Sequence, residues 1–342
     1  MKSLVIRIGL IIFSLFISIT CIWNMQQSFD PLARYPYVTS ENRDVLLTFL
    51  NNEDIDYIIT QQMKPDVFLE FIQIPGFDIH NALYYRMAMN TQKENPDYIV
   101  NFVNRFRSHF SLSILQNLLT YYSYMDLTSF YENELVLQNN LNLIDHPDDM
   151  FALVNENNSI YKFAPKNLVN YDSIVIRKEV VENLQAMQEA YAAMMQEPLI
   201  LQSGYMSYDA IYAVYNKNLN QNENQISNWM YRPGQDERQL GYTIVVDGYE
   251  TWLKACLEQD GDKIDYAKII DKLDDNLTKR MEWLEENAYR YGFVIRFPSG
   301  KEGKTGHWFQ PFELRYVTSE YAKEMYESKQ CFEETNFDEE AL

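Results

Sequence analysis

The chain has 342 residues, 46% of them hydrophobic, and a formal charge of −20 from 49 acidic and 29 basic side chains. That length and apolar content support two modest packed domains rather than a disordered chain. The acidic excess excludes a nonspecific binder of nucleic acid, anionic lipid or anionic wall polymer, since all carry charge of the same sign.

Lys2 and Arg7 precede Ile8–Trp23, an almost unbroken apolar run. A run of about that length approaches the roughly 20 residues of a spanning helix. Positive charges ahead of it would hold the N-terminus in the cytoplasm. Residues 1–29 therefore read as an uncleaved anchor, placing the protein at the cell membrane, single-pass, with its main domains extracellular. A cleaved signal stays open as the plain alternative. Cys21 follows Ser18-Ile-Thr20, a poor lipobox.

Residues 30–148 read as an all-α domain. Ser40 carries a capping signal ahead of apolar residues at helical spacing through Leu50. Asn51 opens a second helix through Ile59, and Pro65 starts a third with Val67, Phe68 and Phe71 turned inward. Ile74–Phe77 is a turn, and 80–90 and 96–110 are further helices. The stretch 112–133 is rich in Tyr, Leu and Phe, a pattern that belongs to a core more often than to a ligand platform. The polar text 139–149 marks the boundary to a second domain over 149–335.

Three blocks dominate that second domain. The first is Leu199-Ile-Leu-Gln-Ser-Gly-Tyr-Met-Ser-Tyr208. The second is Pro233-Gly-Gln-Asp-Glu-Arg-Gln-Leu-Gly241, leading into Asp247. The third runs from Trp283-Leu-Glu-Glu-Asn-Ala-Tyr-Arg-Tyr-Gly-Phe293 through Arg296-Phe-Pro298 to Gln310-Pro-Phe-Glu-Leu-Arg-Tyr-Val317. Their order and spacing resemble the VanY-type zinc D-alanyl-D-alanine carboxypeptidases, which trim peptidoglycan stems. Weaker resemblance extends upstream to Leu153-Val-Asn155 and Asn167-Leu-Val169. The resemblance implies an α+β fold, a small antiparallel sheet flanked by helices, following the all-α region. The stretch 248–279 is charged, helical in pattern and longer than the usual connection.

In the resembled family zinc is held by His, Asp and a second His, and a Glu acts as base on the bound water. The matching positions here are Arg238, Val245 and Glu313, with Gln310 in place of the base. Arginine has no acceptor, valine no donor atom, and glutamine cannot take a proton at neutral pH. Met206 stands where the family has a substrate-side Arg, and Ile211 where it has Gln. No catalytic residue, zinc or other metal is expected. The groove residues Ser203, Tyr205, Ser207, Gln239 and Arg315 are the candidate substrate contacts.

The resulting expectation is a pseudoenzyme in cell-wall metabolism, either a stem-peptide binder or an interaction module for a cell-wall or membrane protein. The alternative is an active zinc carboxypeptidase with rearranged ligands Asp247, His307 and Glu313. Arg238 and Glu313 are expected to form an ion pair that replaces the metal as a cross-link. Cys256 and Cys331 could pair in an oxidising compartment.

Overall fold

The computed structural model describes residues 2–27, 30–222, 225–259 and 263–337. The chain divides into two compact units, Met1–Gln116 and Asn117–Leu342, a division upstream of the 148/149 boundary read from the sequence.

The first unit holds helices α1 (Lys2–Gln27), α2 (Arg43–Phe49), α3 (Asn52–Thr60), α4 (Pro65–Phe68), α5 (Ala82–Thr91) and α6 (Pro96–Phe106). The cap of α2 is not Ser40. Thr39 and Asn42 bond reciprocally, backbone N–H to side-chain oxygen in each direction at 2.8 and 3.2 Å, and the helix begins after Asn42. At α3 the expected start is found as a capping box between Asn51 and Asp54, which satisfies two otherwise orphaned donors. Leu46, Leu50, Ile55, Ile58 and Phe68 pack into this unit's core.

Among the described residues no helix is long and apolar enough to cross a membrane, which overturns the single-pass anchor. The apolar run of α1 lies between Arg7 and Asn24. Its residues rise about 24 Å at 1.5 Å each, short of a hydrocarbon core about 30 Å thick.

Helix α7 (Leu112–Tyr121) leads to α8 (Tyr124–Tyr131) and α9 (Glu134–Asn139). These last two belong to the second unit, and aromatics of α8 and of the residue pair ahead of it reach forward along the chain. The Tyr122 hydroxyl donates to the Ile160 carbonyl at 3.2 Å, and Phe130 meets Tyr161 edge to face. The tyrosine-rich stretch is indeed core: Leu115, Leu118, Tyr122, Leu127 and Phe130 are all buried.

A short parallel pair, β1 (Asn142–Leu143) with β2 (Asn158–Ser159), and a hairpin of β3 (Leu168–Tyr171) with β4 (Ile174–Arg177) precede α10 (Val181–Met195). The central sheet is antiparallel, in the order β5 (Leu201–Ser203), β6 (Thr243–Val246), β8 (Gln310–Tyr316), β7 (Phe293–Phe297). Around it lie α11 (Tyr208–Asn222), α12 (Tyr249–Leu257), α13 (Tyr266–Ile270), α14 (Asp275–Asn287), α15 (Glu302–Thr305) and α16 (Thr318–Ser328). The fold is α+β, with a small antiparallel sheet among helices.

All seven residues of β8 are buried, as befits an inner strand covered on both faces. Gly204, just past β5, allows close backbone approach: a Cβ there would stand 2.4 Å from the Val175 carbonyl oxygen. Cys256 and Cys331 are both buried and unpaired, so the disulfide considered from the sequence does not form.

Candidate functional site

The site is built on β6, β8 and the short 3-10 turn Glu237–Leu240 that precedes β6. Val245 and Glu313 are direct register partners across the β6–β8 pair, so their side chains share one face of the sheet. A spacing of three along a regular strand would turn Gln310 to the opposite face from Glu313. Here two residues of β7 match four of β8 between Ile295 and Phe297, and this irregularity breaks the alternation. The Gln310 amide donates to the Trp229 carbonyl at 3.3 Å.

Trp229, Tyr231, Asp236, Arg238, His307 and Glu313 line a cavity of about 10 Å³, room for about one water molecule. Asp236 caps the 3-10 turn by accepting from the Arg238 N–H at 3.0 Å. Its carboxylate also takes the Arg238 guanidinium fork-on, with the Nε contact at 2.9 Å. The pair is nearly sealed, the side chains being 12% and 7% exposed. Burial works against the Arg238 charge, but Asp236 outweighs it and the pKa rises.

The Arg238–Glu313 pair expected from the sequence is therefore replaced by Arg238–Asp236. Asp236 is two residues away along the chain and is already oriented by its own cap, so the local partner costs the least side-chain entropy. Among the described residues Glu313 forms no ion pair. Burial raises its pKa to about 7; Arg238 opposes that rise, while Asp236 and Glu237 add to it.

A second charge network lies alongside. Arg296 donates from Nε to Glu237 at 2.7 Å and from Nη2 to Glu333 at 2.6 Å. Arg315 donates to the Met150 carbonyl and lies 3.8 Å from the other oxygen of Glu237. Arg296 and Arg315 are fully buried.

Of the five candidate substrate contacts, two are internal struts. Arg315 has just been placed. Gln239 is also fully buried, and its amide donates to the Tyr161 and Phe163 carbonyls at 2.6 and 2.8 Å. Both positions are corrected, because a sealed side chain committed to the backbone has no face for a ligand. Ser203 and Tyr205 are half-buried and Ser207 is exposed; Ser207 accepts from the Ala210 N–H at the start of α11.

Asp247 does not join His307 and Glu313, because β6 ends one residue before it. Asp247 accepts from Arg280 at 2.8 Å and from Gln202 at 3.1 Å. His307 sits between Tyr231 and Phe297, with ring centroids at 3.8 and 4.5 Å. Burial first, and then Arg296, lower its pKa to about 3.

Among the described residues no three His, Cys, Asp or Glu side chains gather to hold a metal ion. Zinc, which the resemblance implies, does not fit the residues present: a guanidinium paired to Asp236, an isopropyl group and a single carboxyl occupy the three ligand positions. Sequence reasoning passed over Asp236 as the partner of Arg238. The Asp-x-Arg spacing in a turn was the available signal.

A family model described as D-alanyl-D-alanine carboxypeptidase, VanY, matches residues 173–319. That stretch is a VanY domain. The chain is 28% identical over 224 residues to YodJ of Bacillus subtilis (strain 168), named as a carboxypeptidase, covering 62% of this chain and 76% of that protein. It is 27% identical over 203 residues to a D-alanyl-D-alanine carboxypeptidase of Enterococcus faecalis (strain ATCC 700802 / V583), covering 56% and 66%. Among solved structures, the LdcB LD-carboxypeptidase aligns with a TM-score of 0.45 at 26% identity, over 57% of this chain and 88% of that one. The VanY domain thus contains every position discussed above from Ser203 to Val317.

Two buried titrating groups of the VanY domain, Glu313 and His307, have opposite effects on stability. Folding raises Glu313 from 4.5 to about 7. Its contribution is complete below the unfolded value and is lost as pH climbs through about 7. Folding lowers His307 from 6.5 to about 3, so its contribution is present above 6.5 and lost as pH falls. Denaturant titrations of the natural chain and Glu313→Gln, from pH 4.5 to 8, separate the two. The natural chain is expected to lose about 3 kcal/mol relative to the variant as pH rises. Parallel pH profiles would mean that Glu313 is ionised in the fold.

Proposed function

We propose that the VanY domain of this chain does not hydrolyse peptide bonds and serves cell-wall metabolism by recognising peptidoglycan stem peptides. The observation that carries this reading is the Arg238–Asp236 pair, standing where the resembled family needs an imidazole on zinc. Metal-assisted hydrolysis requires an ion with an open coordination position to make hydroxide at neutral pH, and a base to manage its proton. Gln310 cannot accept that proton. Glu313, whose pKa burial raises to about 7, is nearly sealed from solvent and stands at a ligand position of the resembled family, not at the position of its base.

Recognition is supported by what survives: the half-buried Ser203 and Tyr205, and Ser207 at the groove end of α11. A second reading, an interaction module for another cell-wall protein, is favoured by the near absence of free volume at the old catalytic centre.

The test is D-alanine release from a D-Ala-D-Ala-ended stem pentapeptide, with and without added zinc. No release above the uncatalysed background is expected in either condition. Zinc-dependent release would establish a working metal site and end the proposal.

A further inference from the structure

Outside the old catalytic centre, one charged residue is held in place by a strained piece of backbone. Tyr161 has φ +42°, the left-handed region that non-glycine residues keep only where their neighbours over-determine it. The Tyr161 N–H donates to the Ser159 hydroxyl at 2.9 Å, and that hydroxyl donates to the Gly234 carbonyl at 2.9 Å. Gly234 packs so close that a Cβ on it would stand 3.0 Å from the Tyr161 Cα. The fully buried Gln239 amide donates to the carbonyls of both Tyr161 and Phe163. The backbone is thus clamped on either side of Lys162, whose own side chain is exposed.

Two rings steer the ammonium. The Lys162 Nζ lies 5.5 Å from the Tyr161 ring centroid and 5.8 Å from that of Tyr208, both within the roughly 6 Å reach of a cation–π contact. The rings meet edge to face with centroids 5.6 Å apart, so they form one corner for the charge. Tyr208 is the first residue of α11, directly after Ser207. One 3-10 turn fastens both sides of this corner. Its Gln239 holds the Lys162 segment, and its Arg238 carbonyl accepts from the Met206 N–H at 3.2 Å. Lys162 therefore stands at the Tyr205–Ser207 end of the groove. Among the described residues it forms no ion pair, in a chain of net charge −20 that otherwise repels an approaching carboxylate.

We propose that Lys162 is a carboxylate anchor of the VanY domain, taking the free C-terminal carboxylate of a D-alanine-ended stem peptide bound at Ser203, Tyr205 and Ser207. The choice of ligand rests on the recognition reading above; the anchor rests on the clamped backbone and the two rings. A lysine ammonium is a compact charge with three rotatable donors, which suits a terminal carboxylate in any rotation. Its long stem ordinarily loses rotamer freedom on pairing, and the ring corner has already restricted that freedom.

The test is calorimetric titration of the full natural chain and of Lys162→Met with two stem pentapeptides, one ending in a free carboxylate and one in a C-terminal amide. The natural chain is expected to bind the acid about fivefold tighter than the amide, the upper end for an ion pair open to water. Lys162→Met is expected to bind both peptides as the natural chain binds the amide, and Lys162→Arg to keep the preference for the acid. The substituted side chain is exposed, so the melting temperature should stay unchanged and certify the fold. An acid preference that persists in Lys162→Met would overturn the anchor. Equal weakening of both peptides in that variant would also overturn it, because a merely structural lysine has that effect. A natural chain that binds acid and amide equally would overturn the anchor and leave the recognition reading standing. Binding of neither peptide would overturn the recognition reading and the anchor with it.

Discussion

A chain carrying Arg238→His, Val245→Asp, Gln310→Glu and Glu313→His together is expected to retain one zinc ion through dialysis, whereas the natural chain retains none. The expectation follows from position rather than from the side chains now present. Residues 245 and 313 are register partners on one face of the sheet, and 238 lines the same small cavity as 313. Three ligands from converging backbone positions are what a catalytic zinc site requires.

Without metal, the fourfold variant loses the guanidinium that neutralises Asp236. Breaking a buried pair by removing one partner costs about 3–5 kcal/mol, so the metal-free variant is expected to melt well below the natural chain. Zinc at about a thousandfold excess over its dissociation constant should return about 4 kcal/mol. A rise in melting temperature with zinc in the variant, absent from the natural chain, would thus accompany one equivalent by elemental analysis. A folded variant that holds no zinc would show that the four positions do not converge as described.

Arg296→Met is expected to be the most damaging single substitution in the VanY domain, at about 3–5 kcal/mol in denaturant unfolding. Arg296 donates to one oxygen of Glu237 and to one of Glu333, both carboxylates nearly sealed from water. Burial disfavours its charge, yet the two carboxylates raise its pKa overall. Removing it leaves Glu333 buried without this cation and leaves Glu237, in the turn that orients Arg238, with only the longer 3.8 Å contact to Arg315. By contrast, Arg34→Ala breaks a pair with Asp56 whose side chains are 75% and 66% exposed, and should change stability by less than about 1 kcal/mol. Equal effects of the two substitutions would mean that water reaches the Arg296 network. The double change Arg296→Met and Glu333→Gln should recover part of the loss, because Glu237 then keeps the buried Arg315 as its partner.

Much of the fold was legible because the motifs record backbone constraints. Gly204, Gly241 and Gly292 fall at close approaches or positive φ, and their spacing marks the turns that join the sheet. Apolar periodicity placed Ile55, Ile58, Phe68 and Phe71 correctly inward, because a helix buries one stripe whatever it packs against. The misjudged positions depended on partners distant in sequence. Gln239 and Arg315 carry the polar groups of ligand contacts, but carbonyls about 80 and 165 residues away along the chain capture them. The division between the units moved because Tyr122 and Phe130 pair with Ile160 and Tyr161, contacts that a polar stretch between them does not reveal.

By itself the sequence determined what chemistry is available at the old catalytic centre. The ability to ligate zinc or accept a proton belongs to the side chain: Arg238 and Val245 cannot ligate the ion, and Gln310 cannot take a proton at neutral pH, in any fold. Only the tertiary structure decided how those side chains are satisfied. Arg238 takes the nearby, already oriented Asp236. Glu313, enclosed on the face that β6 and β8 share, is pushed by burial to hold its proton to about pH 7. Pairing and protonation depend on distance and on exclusion of water, and both are set by which strands and helices meet.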